Sequence, residues 1–383
     1  MAGVYIRGMG LNCALGKEIE GCVLSMERMQ VNPQSVLLTE LNEPLTVRYY
    51  LMGDQSDPFC ANRFDYPLAS VAKTAVAQAE LTASEIRGLP LFIGSSCFTI
   101  DSAESRYAVA LEEQPDSAIP MPICGYQDIA TFLQCSLGCS GETYTYNTAC
   151  TASANALMSA QRMIELGWHA NALVIGYERI NRTTLAGFSG LQILAETLRP
   201  FDSARTGIVL GEGIGAIVLS EKSGAADCLR IIGGASNCDT SSITTADPDG
   251  YSVAAVLKKA LENTNTLPKQ IRGIKAHGTA TRTGDRAEAY GMRDVFTNLP
   301  PISALKPYLG HTLGACGINE LVLYSGALLR GFLPATPGFT TPDSDLGVHP
   351  IHAAIPAPGG YYLLNHFGFG GNNTALVMEK RGF

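Results

Sequence analysis

One cysteine lies where an apolar, strand-like run gives way to small residues typical of a closely packed helix. The stretch reads Thr145-Tyr-Asn-Thr-Ala-Cys150-Thr-Ala-Ser-Ala-Asn-Ala. At a helix N-terminus, unpaired backbone N–H groups and the positive end of the helix dipole stabilise a thiolate. We therefore expect the pKa of Cys150 to be lowered, which would make it a candidate nucleophile.

Two histidines occur in similar settings, each after an apolar strand and before small residues. The first segment is Lys275-Ala-His277-Gly-Thr-Ala-Thr281, and the second is Lys306-Pro-Tyr-Leu-Gly-His311-Thr-Leu-Gly-Ala. A lone histidine is usually structural, but two glycine-flanked histidines together with a cysteine at a strand–helix junction indicate shared chemistry. The sequence therefore predicts a Cys-His-His site.

The remaining cysteines form no recognisable disulfide or metal framework. The chain has 11 cysteines, an odd number scattered along its length, which favours reduced thiols. Cys135 and Cys139 are separated by three residues, but no second cysteine or histidine pair follows at ligand spacing. Buried thiols are more frequent than zinc ligands in such a pattern, so we predict no metal site.

The elements that must position this site alternate between strand and helix. Leu89–Gly94 and Ala172–Gly176 are apolar runs typical of strands, whereas Tyr66–Leu81, Ser153–Leu166 and Val253–Asn263 have helical character. This alternation predicts an α/β fold in which helices cover parallel sheets.

The chain also repeats its own pattern. The strand and glycine turn Val4–Cys13 has a counterpart in Leu229–Cys238, and the glycine turn and strand Gly211–Glu221 has one in Gly370–Glu379. We therefore predict two similar halves, residues 1–224 with the cysteine and residues 225–383 with both histidines. Two such sheets with helices between and outside them would give five layers, α-β-α-β-α.

Composition excludes several kinds of partner. The 383 residues are 46% hydrophobic and 16% charged, as in a large α/β enzyme. A net charge of −8 argues against nucleic acid or an anionic membrane as a partner. Because no secretory signal and no run of about 18 apolar residues occurs, we expect a cytoplasmic location and no membrane segment.

The glycines of Gly211–Gly215 precede a strand rather than follow one, which argues against a nucleotide site.

Five motifs follow one another in the order of a known enzyme family. They are Thr148-Ala-Cys150-Thr-Ala-Ser, Arg199-Pro-Phe-Asp202 through Gly207-Ile-Val-Leu-Gly-Glu-Gly213, His277-Gly-Thr-Ala-Thr281, Lys306 through His311-Thr-Leu-Gly-Ala-Cys-Gly-Ile-Asn-Glu320, and Asn365-His-Phe-Gly-Phe-Gly-Gly-Asn-Asn373. In these motifs the chain resembles the elongating, Cys-His-His type of β-ketoacyl-acyl carrier protein synthase. The resemblance implies the thiolase-like fold of that superfamily, with duplicated halves.

The resemblance also implies a mechanism, a decarboxylative Claisen condensation that extends a fatty acid, polyene or polyketide chain. Cys150 would take an acyl group from a carrier-protein thioester, and His277 and His311 would stabilise the enolate formed by decarboxylation of malonyl-acyl carrier protein. The backbone N–H groups of Cys150 and Phe369 would form the oxyanion hole. Lys306 would tune the histidines, and Glu320 would orient this network; for both, an ordinary buried ion pair is the alternative.

Further roles follow from the same likeness. Thr279 and Thr281 match positions that bind the phosphopantetheine arm, although they could simply cap the turn after the first histidine. Phe367 and Phe369 lie in a glycine-rich loop in which the family has a gating aromatic residue. No bound cofactor is implied, because the carrier protein brings the substrates on its own phosphopantetheine.

The implied partners are an acyl carrier protein and a second subunit. Arg63 and Lys73 resemble the docking region for the acidic carrier protein, although a solvated helix face explains them as well. The family's usual dimer buries the strand before the nucleophile, so we expect a homodimer or a heterodimer with a homologous ketosynthase or chain-length factor.

The chain departs from the family pattern in several segments, and other members of the superfamily offer competing interpretations. The chain is shorter than usual, and Asn32–Cys60 and the stretch after Gly94 differ from the family pattern, so the acyl chain cannot be inferred. Trimmed synthases of this kind resemble those of aryl polyene or type II polyketide pathways. A chain-length-factor-like subunit with little activity of its own is the main alternative, against which the intact Cys150 and both histidines argue. An initiating synthase would pair cysteine with histidine and asparagine, and a thiolase would have a late second cysteine.

Overall fold

The computed structural model describes residues 3–39, 44–53, 59, 65–113, 125–224 and 228–382. Its helices are α1 (Ile19–Glu27), α2 (Asp65–Gln78), α3 (Ala83–Arg87), α4 (Ile100–Glu113), α5 (Gln127–Leu137), α6 (Ala152–Glu165), α7 (Arg182–Gly190), α8 (Tyr251–Asn263), α9 (Arg282–Val295), α10 (Lys306–Leu309) and α11 (Cys316–Leu329). Its strands are β1 (Val4–Cys13), β2 (Gln34–Leu38), β3 (Leu45–Tyr50), β4 (Leu91–Gly94), β5 (Thr143–Tyr146), β6 (Asn171–Glu178), β7 (Leu210–Gly211), β8 (Gly213–Ser220), β9 (Leu229–Cys238), β10 (Ile271–Ala276), β11 (Ile302–Ala304), β12 (Phe332–Leu333), β13 (Ile355–Pro356), β14 (Gly360–Phe367) and β15 (Asn372–Lys380).

The main sheet contains the same arrangement twice. From one edge to the centre its order is β5-β4-β6-β8-β1, and from the centre to the other edge it is β9-β15-β14-β10-β11. In each half the two outer pairings are parallel and the two inner ones are antiparallel. The halves join where Val4 pairs with Ile231 and Tyr5 with Arg230. The predicted duplication of the fold is thus confirmed.

Two helices form a layer between the half-sheets. Helix α6 contacts β4 and β6 of the first half and β9 and β15 of the second, and it also packs on α11. Small residues allow this contact, because a Cβ on Gly317 would lie 2.4 Å from the backbone nitrogen of Ala154. Helix α11 is buried from Cys316 through Leu328, as expected for a helix covered on all sides.

The outer layers complete the predicted five-layered stack. Helix α2 packs on β1, β8 and α5, and helix α8 packs on β9, β15 and α9. One hydrophobic cluster lies between α2 and the first half-sheet, and another lies between α8 and the second half-sheet. Because α6 and α11 pack on the opposite faces, each half-sheet is apolar on both faces. No helix in the described residues is long and apolar enough to cross a membrane.

The elements begin and end close to their predicted limits. Strand β4 begins at Leu91, two residues later than expected, directly after Pro90, which has no N–H to donate to a neighbouring strand. Helix α2 ends at Gln78, because Glu80 has a φ of +50° that no helix continues. The expected boundary between residues 224 and 225 adjoins residues 225–227, which lie outside the described residues, and it stays a prediction.

Candidate active site

Cys150 lies in a tight turn between β5 and α6. A 3-10 turn over Ala149–Thr151 leads into α6, and Ala149 has a φ of +49°. The Thr151 hydroxyl donates to the Thr148 carbonyl at 2.8 Å, and the Asn155 amide donates to the Thr148 hydroxyl at 2.9 Å. These bonds hold the strained turn, so the predicted position of the cysteine at the start of a helix is correct.

The loop after β14 closes over this turn. A Cβ on Gly368 would lie 3.0 Å from the backbone nitrogen of Cys150, so only glycine allows the two backbones to approach without displacement. The backbone N–H of Phe369 stabilises the thiolate form of Cys150 and so favours a lower pKa. The two N–H groups predicted to hold an oxyanion are therefore brought together, although that role stays a prediction.

The expected lowering of the cysteine pKa is wrong for the unliganded site. Burial raises the pKa of Cys150 to about 11, whereas the nearby ammonium of Lys306 and the Phe369 N–H oppose this rise. The residue is only 6% exposed. Transferring a thiolate out of water costs more free energy than its interactions with Lys306 and the Phe369 N–H provide. The thiol is consequently protonated at neutral pH and needs a base within reach.

His311 lies within reach of this thiol. Its Nε2 atom lies 3.2 Å from Cys150 Sγ. The histidine backbone is fixed by two bonds, from its own N–H to the Val209 carbonyl at 2.8 Å and from the Gly211 N–H to its carbonyl at 3.0 Å. Burial, reinforced by the ammonium groups of two buried lysines, holds the pKa of His311 well below its usual value. The ring is therefore neutral at neutral pH and can accept a proton.

His277 follows the end of β10 and is held by both its ring and its backbone. Its Nδ1 atom lies 3.2 Å from Lys306 Nζ, while the N–H groups of His277 and Gly278 donate to the two oxygens of Glu288 at 2.8 Å. Because Nδ1 faces an ammonium donor, the ring proton resides on Nε2. Burial, followed by the Lys306 charge, holds the pKa of His277 well below its usual value. The His277 and His311 rings meet edge to face, with centroids 5.3 Å apart.

A buried carboxylate links two lysines behind the histidines. Glu320 accepts from Lys306 Nζ at 2.7 Å and from Lys275 Nζ at 2.6 Å. All three side chains have no exposed surface. Lys306 and Glu320 are thus placed as predicted, whereas the sequence reasoning did not consider Lys275.

The same cluster contains three side chains that could in principle bind a metal. The potential ligand atoms of His277, Cys316 and His366 all lie within 4.8 Å of one another. The Nδ1 atoms of His277 and His366, however, face the ammonium groups of Lys306 and Lys275. Two ammonium groups in a buried site oppose a further cation, so these residues do not fit a metal ion.

A cavity leads from Cys150 past both histidines toward the start of α9. Thr279 and Thr281 line it, and their hydroxyl oxygens lie 2.9 Å apart. Thr281 also accepts from the Gly284 N–H at 3.1 Å as the N-cap of α9. The capping alternative therefore holds for Thr281, and it does not prevent the hydroxyls from facing a ligand.

Two aromatic residues separate this cavity from a second one. Phe188 and Phe369 line both cavities together with Cys150, and their rings are stacked with centroids 5.6 Å apart. The second cavity continues along α7, where Thr184 and Leu191 line it. Phe367 instead contacts His277, with ring centroids 5.8 Å apart.

Of the two predicted docking residues, only Lys73 lies in the part of the chain that the structure describes. Lys73 is exposed on α2 and lines a separate surface groove with Glu80 and Ser136. Arg63 lies outside the described residues. The described contacts do not connect Lys73 to the cavity, and the docking role of both residues stays a prediction.

Sequence reasoning missed several groups around the site. Lys275 and His366 are polar residues at buried positions of strands rich in apolar residues, a signal that could have found them. Phe188 and Glu288 gave no such signal, because they belong to helices whose contacts with the site depend on the whole fold.

Two family models match most of the chain. The β-ketoacyl synthase N-terminal domain matches residues 60–225, and the β-ketoacyl synthase C-terminal domain matches residues 229–340. The chain belongs to the β-ketoacyl synthase family. This confirms the family resemblance found in the sequence motifs.

Curated relatives are condensing enzymes by name. The chain is 30% identical over 322 residues to a 3-oxoacyl-[acyl-carrier-protein] synthase 2 of Vibrio harveyi, covering 79% of this chain and 77% of the relative. It is 27% identical to the enzyme of the same name from Staphylococcus aureus, with 98% of each chain covered. The chain is accordingly an acyltransferase of the ketosynthase type.

Solved structures agree in fold. A ketosynthase (ApeO) in complex with its chain length factor (ApeC) from Xenorhabdus doucetiae has a TM-score of 0.84 at 25% identity, covering 99% of this chain and 98% of that one. A β-ketoacyl synthase from Burkholderia phymatum has the same score and identity over the full length of both chains.

Proposed function

We propose that this ketosynthase transfers an acyl group from an acyl carrier protein to Cys150 and condenses it with malonyl-acyl carrier protein, with loss of carbon dioxide. The single observation that carries the assignment of roles is the convergence of one thiol and two neutral imidazoles in one cavity. Cys150 Sγ lies 3.2 Å from His311 Nε2, and the ring of His277 lies 5.3 Å from that of His311.

Acyl transfer begins with the thiol proton. His311 Nε2 accepts it as Cys150 Sγ attacks the thioester carbonyl, and the negative charge that forms on the carbonyl oxygen faces the N–H groups of Cys150 and Phe369. The bond to the pantetheine sulfur then breaks, and that sulfur takes up the proton and leaves as a thiol. An acyl-Cys150 thioester and neutral His311 result.

Condensation uses the second neutral imidazole. With its proton on Nε2, His277 donates to the malonyl thioester oxygen as the bond to the carboxylate breaks and carbon dioxide leaves. The electron pair of that bond forms the enolate, whose carbon attacks the acyl-Cys150 carbonyl. The carbon–sulfur bond breaks, the Cys150 thiolate takes a proton from water, and a 3-oxoacyl thioester two carbons longer leaves on the carrier protein.

The two cavities fit the two parts of the substrate. The cavity with Thr279 and Thr281 fits the phosphopantetheine arm, because the two hydroxyls can hydrogen-bond the amide groups of that arm. The second cavity, along α7, fits the acyl chain. The stacked pair of Phe188 and Phe369 lies between them, so we assign Phe369, together with the preceding glycine loop, as the gate. Phe367, predicted as a second gating residue, contacts His277 instead.

A second subunit is part of the proposal. Strand β5 is an edge of the ten-stranded sheet, and an exposed edge in a sheet of this size is commonly paired or covered. We assign this edge to a homodimer or to a heterodimer with a homologous ketosynthase or chain-length factor. Size-exclusion chromatography with light scattering should give twice the chain mass, alone or with that homologue; a stable monomer under both conditions would contradict it.

The main alternative, a chain-length-factor-like subunit, is less well supported. The ApeO–ApeC pair and an ishigamide ketosynthase/chain length factor are both among the similar structures. The complete set of Cys150, His277, His311 and Lys306 favours the catalytic role for this chain, because a subunit without chemistry has no need of it.

The proposed function is tested with the parent protein. We expect medium-chain acyl-carrier protein and malonyl-carrier protein to give carbon dioxide and a 3-oxoacyl-carrier protein, detected by intact mass of the carrier protein. The protein is assayed alone and with any homologous partner encoded beside it. Malonyl-carrier protein with alkylated synthase is the control. No product over a panel of acyl lengths, in either assembly, contradicts the proposal.

A further inference from the structure

Lys275 is a fully buried charged residue that the mechanism above does not use. It lies on β10, two residues before His277, and its side chain has no exposed surface. Its Nζ atom has three acceptors, Glu320 Oε2 at 2.6 Å, the Asn365 carbonyl at 2.7 Å and His366 Nδ1 at 3.4 Å. An ammonium has three N–H donors, so every donor of Lys275 is directed to protein and none to the cavity.

These bonds close a ring around His277. From the imidazole, the ring passes through Lys306 to Glu320 and from there to Lys275. Lys275 Nζ donates to the backbone carbonyl of Asn365, and the side-chain amide of Asn365 donates to Glu288 at 3.0 Å. Glu288 accepts the backbone N–H of His277 at 2.8 Å, which completes the ring. Lys275 is therefore the link between the groups that hold the imidazole and the groups that hold the backbone.

The charges in this ring balance only with Lys275 included. Lys275 and Lys306 provide two positive charges, and Glu320 and Glu288, when ionised, provide two negative charges, all in residues 1% exposed or less. A buried carboxylate that keeps only one of two ammonium partners binds the remaining one more tightly. Loss of Lys275 would thus draw Lys306 toward Glu320 and away from His277 Nδ1.

We propose that Lys275 is a positioning residue for decarboxylation, which acts through Glu320 and Asn365 to keep His277 oriented with its proton on Nε2. This inference rests on the proposed function. It assigns Lys275 to the malonyl half of the reaction, because Cys150 and His311 are outside the ring. Acyl transfer to Cys150 should depend on it little.

The ring also determines how His277 titrates. The titratable groups around it are Lys306 from α10, His311 from the segment after α10, Cys316 and Glu320 from α11, Asp285 and Glu288 from α9, Lys275 from β10, His366 from β14, and Cys150. The positive charge of Lys275 is one of the causes that lower the pKa of His277, after burial, Lys306 and His311. Removing that charge should raise the pKa of His277. Since the neutral ring is the active form, the acid limb of decarboxylation should then move to higher pH.

The experiment compares Lys275→Met and Lys275→Gln with the parent and with Arg272→Met. Arg272 is an exposed residue of the same strand and serves as the matched control. We expect malonyl-carrier protein decarboxylation to fall about 10- to 100-fold, as for a displaced catalytic group, while acylation of the cysteine stays within about 3-fold of the parent. The acid limb should shift upward in both Lys275 variants and in neither of the other proteins.

A second measurement separates this inference from the proposed function. NMR titration of ¹³C-labelled histidine reports the pKa of His277 without any turnover, and it should rise in the Lys275 variants. If the parent protein were inactive but the pKa of His277 still rose in the Lys275 variants, the proposed function would be refuted. The electrostatic influence of Lys275 on His277 would stand. An unchanged His277 pKa, an unchanged acid limb, or equal loss of acylation and decarboxylation in both variants would overturn the positioning role.

Discussion

Replacing Cys150 with alanine should abolish acylation of the protein and reduce condensation by at least about 10³-fold. The side chain supplies the nucleophilic sulfur, which lies 3.2 Å from His311 Nε2, and water in that position forms no thioester. Because the residue is small and the change removes one atom, the free energy of unfolding should fall by about 1 kcal/mol or less. Intact mass after incubation with acyl-carrier protein measures the adduct directly.

Cys316 offers a matched control for that experiment. Its Sγ atom lies 3.0 Å from the Cys150 carbonyl oxygen, and its side chain has no exposed surface. Burial raises the pKa of the Cys316 thiol above the usual range, so it should not react. Cys316→Ala should therefore keep the adduct. If the adduct survived in Cys150→Ala and disappeared in Cys316→Ala, the nucleophile would be Cys316 and not Cys150.

The two histidines should divide the reaction between them. His277→Ala should reduce condensation about 10²- to 10⁴-fold and leave acylation within about 3-fold, because the ring holds the malonyl oxygen and does not contact the sulfur. His311→Ala should slow acylation about 10²- to 10⁴-fold, since Nε2 lies against Cys150 Sγ and takes its proton. Multiple-turnover condensation should fall by the same factor, because it requires the acylated cysteine.

Single-turnover measurements separate these steps. The rate of adduct formation reports acylation, and release of labelled carbon dioxide from malonyl-carrier protein by the pre-acylated enzyme reports decarboxylation. Retention of the adduct in each variant also shows that the fold is intact. If both variants lost both steps to the same degree, the division of roles would be wrong.

The nucleophile and both histidines could be predicted from the sequence because their information is local. Cys150 lies between a strand and a helix of small residues, each histidine lies beside a glycine, and the duplicated strand pattern indicates that such segments meet. Lys306 and Glu320 followed from the family motif. The type of fold and its five layers could be predicted from the alternation of strands and helices and from its repetition.

Other properties depend on the whole surroundings and were inaccessible to the sequence. The pKa of Cys150 was expected to be lowered from its place at a helix start, but burial by residues from several distant elements determines it. The ring through Lys275 and Asn365 depends on the register of β10 against β14, which pairs Lys275 with Leu364. No local pattern specifies that register.

The join between the two half-sheets has a consequence for how the enzyme loses activity. Cys150 follows β5 in the first half, His277 follows β10 in the second, and the two half-sheets join where β1 pairs with β9 at two positions. A small separation at the α6–α11 contact would move Cys150 away from His277 while each half kept its own sheet. Inactivation by heat or urea should therefore precede the loss of secondary structure, and neither half expressed alone can retain a fraction of the activity.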